Sequence, residues 1–166
     1  YNADGSIDKT FGTGGKIRAD FQGTLAIQAD GKTLLAGGME GNFAMTRYHS
    51  NGSLDTTFGA DGKTITDFGG NEGVNAVVIQ SDGKMVVTGS TDYISVVARY
   101  NPNGSLDTSF DTDGKVTTNF EESRDIGKSI AIQSDGKIVI GGITWTDYSF
   151  TQSCPCYGWV VARYNP

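Results

Sequence analysis

The residues best equipped for chemistry are few. Cys154 and Cys156 flank a single proline in Ser153-Cys-Pro-Cys-Tyr157, and they are the only cysteines. Two thiols this close cannot complete a tetrahedral zinc site, which takes four ligands. A bridge between them would close a very small, strained ring, more reducible than a structural disulfide. Links to another chain and free thiols are the alternatives. His49, the sole histidine, stands at a turn position, so a Ser-His-Asp triad would have to use a turn residue as its base. Glu121, Glu122 and Asp125 offer carboxylates, but in a polar connection that reads as a solvated loop rather than an acid–base pair. Asp111-Thr-Asp-Gly114 starts like a calcium loop, yet it lacks the third acidic position and the distal glutamate. The sequence therefore points to no catalytic residue and no cofactor, with calcium the one ion worth weighing. The chain is expected not to be an enzyme.

Two kinds of residue remain. One is aromatic: Trp145, Tyr148, Phe150, Tyr157 and Trp159 crowd in or beside the segment from Thr144 to Gly158, around the two cysteines. Aromatic side chains on a loop carried by a rigid scaffold make a candidate binding surface for a protein or a sugar ring. The other reading is that they fold back over a sheet edge. The second kind is ionic. Arg47 and Asp55 lie symmetrically about Asn51, and Arg99 and Asp107 about Asn103. A hairpin turning at each asparagine would set each pair face to face as a structural ion pair.

What positions these residues is a repeat. Asp-Gly-Lys recurs at 30–32, 82–84 and 135–137, and Arg-Tyr at 47–48, 99–100 and 163–164. Gly-Ser-(Leu/Ile)-Asp recurs at 5–8, 52–55 and 104–107, and each copy leads to a Gly-Lys pair at 15–16, 62–63 or 114–115. Several markers in constant order over three periods identify a tandem array. Each period reads as four short strands: one like Val77–Gln80 or Ile130–Gln133, an Asp-Gly turn of type I′, a second from Lys84 or Lys137, a third at Ser95–Tyr100 or Trp159–Tyr164, and a fourth at Ile65–Phe68 or Val116–Phe120. The Leu-Asp-Thr-Thr-Phe piece between the third and fourth is a helical turn or an irregular connection. Asn51-Gly-Ser53 and Asn103-Gly-Ser105 match a glycosylation pattern, but the repeat needs them as turns.

No segment carries a helical apolar period, so the fold class is all-β. Four antiparallel strands per period make propeller-type blades, with a β-solenoid of stacked sheets as the competing arrangement. The expected organisation is one array over 1–166: a closing strand within about 1–22, blade 1 over about 23–69, blade 2 over about 70–121, and blade 3 over about 122–166 lacking its fourth strand. Three blades fall short of the roughly four to eight of a closed propeller, which implies a larger or oligomeric one.

The bulk numbers agree. Twenty-four glycines against three prolines suit tight hairpins. A net charge of −6, with 13 basic residues spread along the chain, argues against nucleic acid. No apolar run approaches a membrane-spanning helix. The chain opens at Tyr1 without an initiating methionine, as an excerpt or processed product would.

Stretches such as Ile132-Gln-Ser-Asp-Gly-Lys-Ile-Val139, and the run from Val97 through Arg99, Tyr100, Gly104 and Asp107 to Phe110, resemble the delta-60-type repeat of bacterial surface and secreted proteins. The resemblance spans essentially the whole chain, with the insertion from Thr144 to Gly158 as its one departure. It implies a β-propeller in a large extracellular bacterial protein and no assigned catalytic residues. The function expected on these grounds is a secreted or cell-surface scaffold or adhesion module. Its partner would be another copy of itself, further repeats, or a surface protein or glycan. Self-assembly by strand complementation is the alternative, and a propeller hydrolase or lyase comes third. An extracellular setting also favours oxidation of Cys154 and Cys156 over free thiols.

Overall fold

The computed structural model describes residues 1–119, 124–146 and 156–166. Among them every regular element is a strand, and the strands form three antiparallel sheets. The first sheet holds β1 (Gly23–Ile27), β2 (Thr33–Met39), β3 (Asn42–Tyr48) and β4 (Lys63–Thr66), in that order. The second repeats the order with β5 (Glu72–Ile79), β6 (Met85–Thr91), β7 (Ile94–Tyr100) and β8 (Lys115–Thr118). The third has β9 (Arg124–Ile132), β10 (Ile138–Thr146) and β11 (Cys156–Tyr164), with β10 in the middle. The first strands of successive sheets lie side by side, β1 against β5 and β5 against β9, as the inner strands of adjacent propeller blades do. The three sheets do not close into a ring.

Alternation along the strands builds the core between blades rather than within one. Leu34, Ala36, Phe43, Met45 and Phe58 leave one face of the first blade and pack against Met85, Val87, Val96, Ala98 and Tyr100 of the second. The opposite face of the second blade, with Val86, Val97 and Phe110, packs against Ile138 and Ile140 of the third. Each blade thus has an incoming and an outgoing apolar face. Tyr100 ties the joint: its buried hydroxyl donates to Thr66 Oγ1 on β4 of the preceding blade, at 2.7 Å. Burial pushes the phenol above its ordinary ionisation range, so it stays a neutral donor. Tyr100→Phe should cost about 1–2 kcal/mol in urea unfolding, because Thr66 is itself buried and loses that partner.

The hairpin turns differ from expectation. At Asp30-Gly31 only the glycine is left-handed, at φ 81°. Gly31 N–H donates to the Gln28 carbonyl, while Gln28 N–H donates to that of Lys32. This is a type I turn with a left-handed glycine bulge, and Asp30 stabilises it by accepting from Lys32 N–H at 3.1 Å. The type I′ geometry occurs instead at Glu40-Gly41 and Asp92-Tyr93, where both central residues have positive φ. The carbonyls of Gly41 and Tyr93 then accept from the backbone N–H of Glu72 and Asp125 in the next blade. Asp125, read from sequence as part of a solvated loop, is fully buried in β9.

Residues 1–22, expected to hold a closing strand, contain turns and an isolated bridge but no strand. In the other blades the corresponding segment pairs with a third strand (β4 with β3, β8 with β7); Lys16–Ala19 has no such strand beside it here. The segment nevertheless docks where a preceding blade would. Gly12 N–H donates to the Asn51 carbonyl at 2.8 Å, as Gly59 N–H does to that of Asn103.

Candidate functional site

The two expected ion pairs form, and each is part of a larger cluster. β3 runs into a turn at Asn51-Gly52, and the chain returns so that Asp55 N–H donates to the Arg47 carbonyl. This places Arg47 Nε 2.9 Å from Asp55 Oδ2. The same oxygen receives Lys32 Nζ at 3.3 Å, from the Asp-Gly-Lys turn. Asp55 Oδ1 accepts from the N–H and hydroxyl of Thr57. The Arg47 guanidinium lies 4.7 Å from the centre of the Phe58 ring, and its Nη1 donates to the Pro102 carbonyl of the next blade at 2.6 Å.

The second blade repeats this. Arg99 Nε stands 2.7 Å and Lys84 Nζ 2.9 Å from Asp107 Oδ2, Ser109 takes the place of Thr57, and Arg99 covers Phe110 at 4.7 Å. Arginine and aspartate are buried in both. The hydrogen bonds from Thr57, followed by those from Lys32 and the charge of Arg47, hold the Asp55 carboxyl far below its ordinary range. At Asp107 burial alone would raise it, but Lys84, Ser109 and Arg99 outweigh burial and hold it equally low. A carboxylate saturated in this way stays ionised and has no lone pair left for acid–base work.

Sequence symmetry indicated arginine and aspartate. It missed the lysine, the Thr/Ser hydroxyl and the phenylalanine, although all three recur at fixed offsets. Of the other candidates, His49 lies at the edge of the first cluster, its Nε2 3.8 Å from Asp55 Oδ1, and the rest are scattered. Asp113 accepts from Lys115 N–H within its own turn, and among the described residues no group of three potential ligands is placed to hold a metal. Tyr148, Phe150 and Cys154 lie outside the described residues, and Cys156 and Tyr157 are placed only as the first residues of β11. The presumed loop from Thr144 to Gly158 is partly strand: Trp145 pairs with Tyr157 and Thr144 with Gly158 across the β10–β11 ladder. Trp159 is in β11 and 85% exposed. By register it occupies the position of Phe43 and Ser95, both buried in the outgoing faces of the first two blades.

A protein-family model described as a domain of unknown function (DUF5122) beta-propeller matches residues 28–58, 80–110 and 133–156, just over half of the chain. The chain belongs to this family. No curated protein matches it. The first two stretches matched by the DUF5122 beta-propeller model begin at Gln28 and Gln80, before the Asp-Gly-Lys turn, and end at Phe58 and Phe110, under the arginine. Each therefore contains one complete lysine–arginine–aspartate–phenylalanine cluster.

The two ends of the array expose what is buried at its middle. On the outgoing face of β11, Trp159, Val161 and Arg163 point to solvent, with Val161 71% exposed. Their counterparts Met45 and Val97, and Arg47 and Arg99, are buried. On the incoming face of the first blade, Leu25 and Ile27 are about three-fifths exposed, whereas their counterparts Val77 and Ile79 pack against the core between blades.

Proposed function

We propose that this chain is a non-catalytic interaction scaffold whose end faces accept further propeller blades. The observation that carries this reading is the pair of exposed apolar end faces, each one half of the interface that joins blades inside the array. The repeated charged residues support it from the other side, because Arg47 with Asp55 and Arg99 with Asp107 are consumed in pairing inside their own blades. The likeness to delta-60-type repeats favours a bacterial surface or secreted setting, where such an array would serve as a scaffold or adhesion module.

A fusion of two copies in tandem tests the reading. Covering Leu25, Ile27, Trp159 and Val161 should add several kcal/mol and raise the melting temperature by roughly 10 °C over the single chain. Binding of a hydrophobic dye per copy should fall. Unchanged melting, with dye binding that simply doubles, would defeat it.

A second reading assigns partner binding to the β10–β11 hairpin. The ladder there extends through Thr146 and Cys156, and the stretch between them carries Tyr148, Phe150 and Cys154. Replacing residues 147–155 by Asn-Gly should abolish binding to an immobilised glycan or surface-protein panel while leaving the melting temperature within a few degrees. Binding that persists would exclude the hairpin.

A further inference from the structure

Resting on the reading of the end faces as blade acceptors, we propose that the occupant is a second copy of this chain, joined head to tail through a third, divided ion cluster. One half of the cluster is at the C-terminal end. Lys137 and Arg163 occupy the positions of Lys84 and Arg99. Lys137 pairs only with Asp135 of its own turn, and Arg163 is exposed with no ion-pair partner among the described residues. The other half is at the N-terminal end. Asp8 accepts from the N–H and hydroxyl of Thr10, as Asp55 does from Thr57, but among the described residues no lysine or arginine pairs with it. Phe11 follows at the spacing of Phe58 and Phe110. An arginine without a carboxylate at one end faces a carboxylate without lysine or arginine at the other.

The backbone is complementary as well. β4 and β8 pair with β3 and β7 in one register, with Lys63 opposite Thr46 and Lys115 opposite Ala98. Carried to the ends, that register sets Lys16 opposite Ala162, Ile17 opposite Val161 and Ala19 opposite Trp159. Residues 16–19 then become the fourth strand missing from the third sheet, a β-augmentation between copies. The groove lined by Phe11, Ile17, Leu25, Ile27, Leu35 and Tyr48 is where the outgoing face of the partner's third blade would lie, bringing Trp159 and Val161 of the partner subunit onto apolar side chains. The join is heterologous. Two copies joined twice make six blades, within the roughly four to eight that close a propeller.

Sedimentation velocity and mass photometry on the 166-residue chain test this, with circular dichroism as the check on folding. The chain should associate to twice its own mass. Asp8→Arg and Arg163→Asp each set like charges at both joints, and each should weaken self-association by at least about 30-fold. Arg163 is exposed, and Asp8 is half-buried with its hydrogen bonds confined to its own turn, so both substitutions leave the blades folded. Mixing the two variants leaves one native joint, between Arg163 of one and Asp8 of the other, so a 1:1 dimer should return. A chain that stays monomeric throughout overturns the proposal and leaves the end faces to flanking repeats. Association that Leu25→Lys and Val161→Lys abolish but neither charge variant affects also overturns it, while the end faces stand as acceptors. Failure of the mixture to recover a dimer overturns the head-to-tail polarity.

Discussion

Asp107→Ala should destabilise the chain by about 3–5 kcal/mol in urea unfolding, because it strips the counter-charge from a buried arginine. Arg99 is 4% exposed, with its Nε 2.7 Å from the aspartate, and Lys84 shares the same oxygen. After the substitution the guanidinium keeps only the Ser109 hydroxyl and the face of Phe110. Asp55→Ala should fall at the lower end of the range, since Arg47 retains the Pro102 carbonyl at 2.6 Å as well as Phe58. Removing arginine and aspartate together for apolar residues of similar volume should cost less than the two single changes summed, because no charge is left stranded.

The same clusters set the acid limit of the fold. Both carboxyls are depressed in the folded state, so the unfolded chain binds protons first, near the ordinary aspartate value of about 3.9. The stabilisation is complete above that value and is lost as pH falls from there toward the lower folded values. Unfolding free energy measured from pH 6 down to pH 2 should therefore drop below about pH 4, with a shallower drop in Asp107→Ala.

The markers that recur were legible without a structure, since Asp-Gly-Lys, Arg-Tyr and Asn-Gly each specify a local hairpin and hairpins are short-range objects. The Arg99–Asp107 pair was legible for the same reason, being symmetric about one turn. Lys84 was not, because it reaches Asp107 across a blade from a different turn. The type I′ turn at Asp92-Tyr93 was hidden because neither residue is glycine. Trp159 was legible as the first residue of a strand, but the face it occupies was not. Only the β10–β11 register, which aligns it with Phe43, places it on the outgoing face of the blade. Asp125 was misread for a related reason: polar neighbours in sequence hid its burial at the start of an inner strand.

Gly89→Ala should cost about 3 kcal/mol or more, an effect invisible in composition, where glycine reads as a turn residue. Gly89 lies inside β6 in ordinary extended backbone, so its freedom of φ is not what the position uses. The use is space. A Cβ there would come within 1.9 Å of the Gly73 carbonyl oxygen and 3.1 Å of the Phe43 ring of the preceding blade. The oxygen is brought close where β5 bulges, the register slipping between Val74 and Ala76, and bulges bend a strand toward its neighbour. Gly37 and Gly142 hold the same place in the other blades and meet backbone oxygens at 2.0 and 2.4 Å. Since the obstacle is backbone, relief requires the inner strand itself to move, a strain at or beyond the roughly 1–3 kcal/mol of ordinary overpacking. Gly73→Ala is the control. Its Cβ would meet nothing within 4 Å, so the entropy removed from the unfolded chain should leave stability unchanged or raised by about 0.4–1 kcal/mol. Chemical denaturation of the two variants side by side checks the assignment: equal effects would place the constraint in glycine's conformational freedom, whereas a loss confined to Gly89→Ala places it in the contact between the first and second strands of the blade.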